Sequence, residues 1–274
     1  MSDNPEKPKW GGDAPQSPET PPSPGHDYER TSLPSLSSDR PWGCWATLLW
    51  AVFIMAAAIM AALIALPIFK LFLDASGRSA EISGIMSKLA SDGDFAWITY
   101  IIQALLWGLL LLVALFVKRD YGPYRYLGMQ RAGLSHYVVW PLAMVAFLFV
   151  TEGLYHVFGI ETAEWMVNIY TSARCMPCLL FVIVIVGPLF EEIVFRGFLY
   201  KGVSESIGHF WAVLLITLVW TVMHVQYNIY HMLAALGLGL LLGLARWKSG
   251  SVYVPIVMHV VNNALATFQM LYLE

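Results

Sequence analysis

The chain has 274 residues, of which 58% are hydrophobic and 13% are charged, and its formal net charge at pH 7 is −3. Because an average soluble domain is about 25% charged, this composition predicts a protein that crosses the lipid bilayer several times and excludes an ordinary soluble fold. The small net charge also argues against a nucleic-acid partner.

The first 42 residues predict a disordered, proline-rich tail on the cytoplasmic side. Nine of the fifteen prolines lie within residues 1–41, and a segment so poor in apolar side chains cannot offset the entropy that folding removes. No apolar run precedes residue 44, so no signal peptide is visible. We expect the first apolar segment to act as an uncleaved signal anchor, and residues 43–274 to form a transmembrane helical domain.

Seven apolar segments follow, and most are long enough to cross about 30 Å of hydrocarbon as a helix. The sequence therefore predicts an all-α fold, a polytopic transmembrane bundle of about seven to eight helices. A Gly-x-x-x-Gly pattern at Gly239 and Gly243 predicts that two of these helices pack closely. The predicted segments are 44–73, 94–117, 137–158, 175–200, 210–230, 231–247 and 251–272.

Basic residues in the loops predict the orientation of the bundle. The connection 118–136 holds four basic residues against one acid, and the turn after the sixth segment adds two more. The positive-inside rule then places these loops and the N-terminus in the cytoplasm and the C-terminus on the opposite side. In a bacterial host the membrane would be the inner one. Residues 80–92 have apolar side chains at helical spacing and predict a short helix on the outer surface.

Two cysteines, Cys175 and Cys178, form the motif RCMPC at the start of the fourth segment. A C-x-x-C pair indicates redox chemistry in a thioredoxin-like βαβ setting, which this sequence lacks. Two cysteines are also too few for a structural zinc site. We expect thiols at the start of the helix or a local disulfide.

Few ionisable side chains fall inside the apolar segments. Their spacing along the helix distinguishes those with a structural explanation from those without one. A charged side chain in hydrocarbon costs at least about 2.5–3.5 kcal/mol, so such residues are functional candidates. Glu192 and Arg196 lie four residues apart on one helix face and can neutralise each other, which is a sufficient structural explanation. Glu191 is rotated by about 100° from Glu192 and has no partner on its own helix, which favours a functional role.

Two histidines on later segments are the other candidates. His224 follows Trp220 by four residues and His259 precedes Asn263 by four, so each pair projects from one helix face. Together with Glu191 they form a chemically coherent set. A glutamate suits the general base, one imidazole can orient the attacking water, and a second imidazole with a carboxamide can stabilise an oxyanion.

A catalytic metal is the alternative interpretation of the same residues. Glu191, His224 and His259 match the three protein ligands of a catalytic zinc site, which keeps its fourth position for water. Spacing alone leaves both alternatives open. The sequence has no G-x-S-x-G and no H-E-x-x-H motif, and no aspartate lies in the middle of an apolar segment. These absences argue against a serine hydrolase, a zincin and a paired-aspartate intramembrane protease.

In combination, these motifs resemble those of the CPBP family, the CAAX-protease and bacteriocin-processing group, also called Abi. This family includes the Ras-converting-type CAAX prenyl proteases. The resemblance covers residues 120–272 and implies an α-helical intramembrane endopeptidase with a cavity that opens toward the cytoplasm. The motifs are E-E-x-x-x-R at Glu191, Glu192 and Arg196, aromatic-x-x-x-His at Trp220 and His224, and His-x-x-x-Asn at His259 and Asn263.

The resemblance also implies a role for each motif residue. Glu191 would activate water with His224, and His259 with Asn263 would stabilise the oxyanion. Three further residues would mainly support the site: Glu192, Arg196 and Trp220. Trp220 stands where the family usually has phenylalanine, and the seven predicted helices are one fewer than the family often has. The resemblance favours a glutamate-dependent mechanism without a cofactor and leaves zinc open.

Three functional hypotheses follow. The leading one is an intramembrane endopeptidase that cleaves a membrane-associated polypeptide, either prenylated or carrying a leader or sorting tag. The alternative is a non-catalytic membrane scaffold or bacteriocin-immunity protein of the same family, which has no use for Glu191. The third is a proton-coupled carrier, but no inverted repeat of interrupted helices supports it. The sequence leaves the substrate, the host and the oligomeric state open.

Overall fold

The structure, a computed structural model, describes Met1, residues 40–75 and residues 89–272, without the side chain of Ala90. The chain divides into two units, residues 1–36 and 37–274, and all described residues except Met1 belong to the second. Most of the predicted tail, and the predicted outer helix as far as residue 88, lie outside the described residues.

The apolar runs form helices, and the described residues hold nine α-helices and no strand. Six of these helices are long and apolar enough to cross a bilayer, which confirms a polytopic all-α bundle. The six are α1 (Cys44–Ala75), α2 (Gly93–Val117), α4 (His136–Phe158), α6 (Met176–Ile207), α8 (Ile229–Ser249) and α9 (Tyr253–Tyr272). The three shorter helices are α3 (Pro123–Leu127), α5 (Glu164–Ser172) and α7 (His209–Val222).

Capping residues set the ends of several helices. Asp92 caps α2 by accepting a hydrogen bond from the N–H of Phe95, and Asn228 caps α8 by accepting one from the N–H of His231. At the other end of α8, Gly250 adopts a left-handed conformation with φ 69°, which glycine does without strain. The boundaries of these spans therefore follow from local chemistry as well as from hydropathy.

Helix α7 differs most from its prediction. The sequence predicts a helix over 210–230, but α7 ends at Val222 and a turn leads to the start of α8 at Ile229. The Asn228 cap is the physical reason, because it begins a new helix before the apolar run has ended. With 14 residues, α7 is only about 21 Å long, and His224 lies in the turn that follows it.

Helix α5 is absent from the sequence-based prediction, because nine residues carry too short a periodic signal. Its apolar side chains Ile169 and Tyr170 are buried in a small cluster that includes Leu179 of α6 and Trp97 of α2. The helix therefore closes one end of the bundle beside the start of α6.

Small residues let the spans approach one another. A Cβ atom on Gly239 of α8 would lie 2.8 Å from Thr217 Cγ2 of α7, and one on Gly243 would lie 2.8 Å from Val213 Cγ1. The predicted close packing is therefore confirmed, and the partner helix is α7. In the same way α1 buries a row of alanines that includes Ala61 along its contact with α2.

Candidate active site

Glu191 lies near the middle of α6, between two stretches with π-helical hydrogen bonding, Val182–Val186 and Ile193–Leu199. Such stretches are rare and occur frequently at functional sites. The side chain is partly buried, and its Oε2 accepts a hydrogen bond of 2.7 Å from the indole Nε1 of Trp220 on α7. The partner that α6 itself cannot supply to Glu191 therefore comes from a neighbouring helix.

Trp220 is the common neighbour of the candidate residues. Only 2% of Trp220 is exposed, and its ring centroid lies 4.4 Å from that of His224 and 5.8 Å from that of His259. The guanidinium carbon of Arg196 lies 4.9 Å from the same ring. The structure therefore gathers Glu191, His224 and His259 around one indole, although they belong to α6, the turn after α7, and α9.

The hydrogen bond of His224 defines which of its ring nitrogens carries the proton. Nδ1 lies 2.9 Å from the main-chain carbonyl oxygen of Trp220, and a carbonyl can only accept, so Nδ1 carries the proton. In the neutral ring Nε2 is then a hydrogen-bond acceptor. This tautomer suits a group that orients water.

A second, buried hydrogen-bond network joins His259 to Glu192 and Arg196. Glu192 is 0% exposed, and its Oε1 accepts a hydrogen bond of 2.9 Å from Arg196 Nη1, which confirms the predicted ion pair. The same oxygen lies 2.9 Å from His259 Nδ1, and Arg196 Nη2 donates to the Gly239 carbonyl of α8 at 3.2 Å. His259 is therefore held by Glu192, the carboxylate that the sequence assigns to support.

Asn263 follows His259 by one helical turn on α9. Its Nδ2 donates a hydrogen bond of 2.8 Å to the main-chain carbonyl of Ile183 in the first π-helical stretch of α6. Its Oδ1 accepts one of 3.0 Å from Asn262. The two candidate oxyanion residues thus share a helix face, as predicted, and each is tied to α6.

A small cleft separates Glu191 from α2. Polar groups on the α2 wall belong to Tyr100 and Gln103, which the sequence analysis does not single out because they belong to no recognised motif. A glutamine inside an apolar span was the available signal, since polar side chains within membrane helices are expensive. The remaining lining is largely apolar: Ala104, Trp107, Val186, Gly187 and Phe190.

Tyr227, in the turn between α7 and α8, is a further residue that sequence reasoning misses. Its ring stacks on His224 with an interplanar angle of 11° and a centroid distance of 5.6 Å. Burial raises the pKa of the Tyr227 hydroxyl above its ordinary value, and the negative charge of Glu191 raises that pKa further. Tyr227 therefore stays neutral near the candidate base and covers one face of His224.

The alternative metal set of Glu191, His224 and His259 does not converge in this arrangement. Among the described residues, no group of three His, Cys, Asp or Glu side chains is placed to hold a metal ion. The Nδ1 atoms of both histidines face other oxygens, those of the Trp220 carbonyl and of Glu192, which leaves only their Nε2 atoms as possible ligands.

The start of α6 is anchored to α2. Cys175 and Cys178 form a local disulfide, one of the two outcomes expected from RCMPC. Asp94 of α2 is 0% exposed, and its Oδ1 accepts hydrogen bonds from the main-chain N–H groups of Arg174 and Cys175 and from the indole of Trp97. These contacts fix the beginning of the helix that carries Glu191.

Comparisons with known proteins give two matches. Residues 173–265 match the family model described as "Type II CAAX prenyl endopeptidase Rce1-like", and this stretch contains every motif residue discussed above. The chain is also 24% identical over 215 residues to "Putative membrane peptidase YdiL" of Bacillus subtilis (strain 168), covering 76% of this chain and 83% of that protein. No solved structure matches.

Proposed function

Since residues 173–265 belong to the CPBP family of CAAX-type membrane proteases, we propose that the chain is an endopeptidase that hydrolyses a peptide bond of a membrane-associated polypeptide within the bilayer. One observation carries this proposal. The Glu191 carboxylate, held by the Trp220 indole, lies in a polar cluster with two histidines inside an otherwise apolar bundle. A purely structural bundle has no need of that carboxylate.

In the proposed mechanism, Glu191 takes a proton from water as the water oxygen forms a bond to the substrate carbonyl carbon. His224 accepts the second water hydrogen at Nε2 and so orients the lone pair that attacks. When the carbon–nitrogen bond breaks, Glu191 returns its proton to the leaving nitrogen. The products are a carboxylic acid and an amine.

The oxyanion that forms during this step needs hydrogen-bond donors. Asn263 has two N–H groups, one of which bonds the Ile183 carbonyl, and we propose the other as a donor. His259 pairs with Glu192 through Nδ1, so it donates from Nε2 only when its ring is protonated. Glu192 and Arg196 then act on the reaction through His259.

For the substrate, we propose a polypeptide that is tethered to the membrane near its cleavage site. The name of the matched family indicates prenylated C-terminal CAAX sequences, and the wider CPBP resemblance adds leader or sorting segments. In both cases the lipid tether or apolar segment would bring the scissile bond to the depth of Glu191.

The test is a cleavage assay with the full chain purified in detergent. We expect cleavage of prenylated CAAX peptides or of membrane-tethered leader peptides, and its loss in Glu191→Gln and His259→Ala. Glu152→Gln is the matched control, because this carboxylate contacts only the Gln269 amide in the described hydrogen-bond network, and it should cleave normally. Cleavage that survives both site substitutions would overturn the proposal.

The same assay distinguishes a glutamate-dependent mechanism from a zinc-dependent one. A glutamate-dependent reaction should continue in the presence of a chelator, because Glu191 then activates the water without a metal ion. Activity that a chelator removes and added zinc restores would contradict this mechanism. If no substrate is cleaved and a cellular phenotype is unaffected by Glu191→Gln, the non-catalytic scaffold or immunity protein becomes the better explanation.

A further inference from the structure

The volume of the cleft between α2 and α6 limits the size of the molecule that can occupy it. Its volume is about 10 Å³, which is roughly the room that one water molecule requires. A peptide side chain is too large for this space. The glycine at 187 brings the two helices this close, because a Cβ atom there would lie 3.3 Å from Cε1 of the Tyr100 ring.

The polar groups around the cleft fit the requirements of a bound water. Such a water needs two to four polar partners, and three of the lining residues carry a polar side chain: Glu191, Tyr100 and Gln103. Tyr100 and Gln103 are three residues apart, so they project from the same face of α2. The rest of the lining consists of aliphatic and aromatic side chains and glycine.

Neither α2 residue has another evident task. Within the described part of the chain, no hydrogen bond joins the side chain of Tyr100 or Gln103 to a further protein group. A glutamine amide in an apolar span is costly unless it is hydrogen-bonded, and a bound water would supply that hydrogen bond.

We infer that Tyr100 and Gln103 hold the attacking water against Glu191. The inference rests on the proposed hydrolytic function and adds two residues from α2, a helix outside the matched stretch 173–265. At rest the water would donate one hydrogen to Glu191 and the other to the Gln103 side-chain oxygen, and it would accept a hydrogen bond from the Tyr100 hydroxyl. His224, which lies outside the cleft lining, would take over the second hydrogen when the water moves to attack. The remaining lone pair of the water would point away from the cleft, toward an incoming carbonyl carbon.

Kinetics of conservative variants test this role. Tyr100→Phe and Gln103→Leu each remove one contact to the water, and each should lower kcat by about tenfold. KM should stay within about twofold of wild type, because the substrate itself loses no contact. Tyr170→Phe is the matched control: it removes a buried hydroxyl that bonds Thr267 outside the cleft, and both constants should remain unchanged. Wild-type kcat in both α2 variants would overturn the inference.

A second measurement does not depend on cleavage. X-ray hydroxyl-radical footprinting in water enriched in oxygen-18 labels side chains next to bound water. Tyr100 should be labelled far more than Tyr126, which is 0% exposed and accepts a hydrogen bond from the Trp42 main chain. Gly187→Val fills the cleft and should remove the Tyr100 label. Equal labelling of the two tyrosines would overturn the water site.

The two experiments also separate the inference from the proposed function. If wild type cleaves, Glu191→Gln is inactive and the α2 variants behave normally, the protease assignment stands and the water site fails. If Tyr100 is labelled as expected but no polypeptide is cleaved, the water site stands and the protease assignment fails.

Discussion

Trp220 links the residues of the site to one another, and its indole N–H gives it a contact that phenylalanine cannot make. The N–H donates a hydrogen bond of 2.7 Å to Glu191, while the ring packs against two imidazoles and a guanidinium. Trp220 stands where the CPBP motif that this sequence resembles usually has phenylalanine, so this chain holds its proposed base with an additional donor. The contact fixes one carboxylate oxygen and leaves the other for water.

Trp220→Phe should therefore reduce catalysis while preserving the fold. The ring stays, but a hydrogen bond to a charged group, worth about 1.5–3 kcal/mol, is lost, so we expect kcat to fall by about tenfold or more. Trp42→Phe is the control, because it removes an indole bond to the Ala114 carbonyl instead, and its kcat should match wild type. Equal activity of the two variants would show that the Glu191 contact does not matter.

The two adjacent glutamates should respond differently to the same substitution. Glu192→Gln leaves the fully buried Arg196 without its counter-charge, and breaking a buried pair in this way costs about 3–5 kcal/mol. Glu191→Gln alters one partly buried carboxylate and should cost much less. Thermal unfolding in detergent measures both, with Glu205→Gln, half of an exposed pair with Lys201, as a control near wild type. Equal losses in the two glutamate variants would contradict this separation.

At the scale of elements, α6 brings the site together, and its first turn is held from outside. The buried Asp94 carboxylate accepts two main-chain N–H groups at the start of α6, whereas the disulfide closes a loop with a sequence separation of only 3. Short loops lose little chain entropy on closure. The carboxylate should therefore matter more for stability than the covalent link.

Asp94→Ala should lower the melting temperature more than the double substitution Cys175→Ser with Cys178→Ser. The first leaves buried donors unsatisfied, at about 1–3 kcal/mol, and the second removes a small entropic constraint. Thermal denaturation of both variants in the same detergent checks the order, and Asp120→Ala in the exposed loop is the control. A reversed order would show that the disulfide is the main anchor.

The sequence predicts contacts along one helix well and contacts between helices poorly, for a geometric reason. The Glu192–Arg196 pair follows from a spacing of four residues and is present at 2.9 Å. The partners of Glu191 and His259 depend on how α6 is rotated against α7 and α9. The two π-helical stretches in α6 change that rotation, and hydropathy carries no signal for them. Hydropathy also does not predict the end of α7 at Val222, because the cap at Asn228 that begins the next helix is a local feature.

At the scale of the whole molecule, the distribution of charge predicts a single orientation. Four basic residues in the connection 118–136 and two in the turn after α8 lie on the side assigned to the cytoplasm. Several of these cations lie over aromatic rings, such as Lys118 over Trp42 and Lys248 over Trp247. Such aromatic side chains are typical of the membrane interface.

This orientation can be tested with single cysteines, introduced into a variant in which the free Cys44 has been replaced. A cysteine at Arg131 should react with an impermeant thiol reagent only after the cells are opened, and one at Tyr272 should react in intact cells. The physical reason is the cost of moving the basic loops across the membrane. A cysteine at Leu142, inside α4, is the unreactive control. Labelling of both sites from the same side would mean that α7 does not complete a crossing.

The length of α7 has a consequence for the lipid around it. A helix of about 21 Å beside spans that match a hydrocarbon layer of about 30 Å creates a local hydrophobic mismatch. The bilayer accommodates such a mismatch by becoming thinner, and this thinning would be centred on α7, the helix that carries Trp220. Headgroups and water would then reach closer to the site than elsewhere around the bundle. The acyl-chain length of the lipids in the host membrane should therefore affect how easily the peptide bond of a substrate reaches the depth of Glu191.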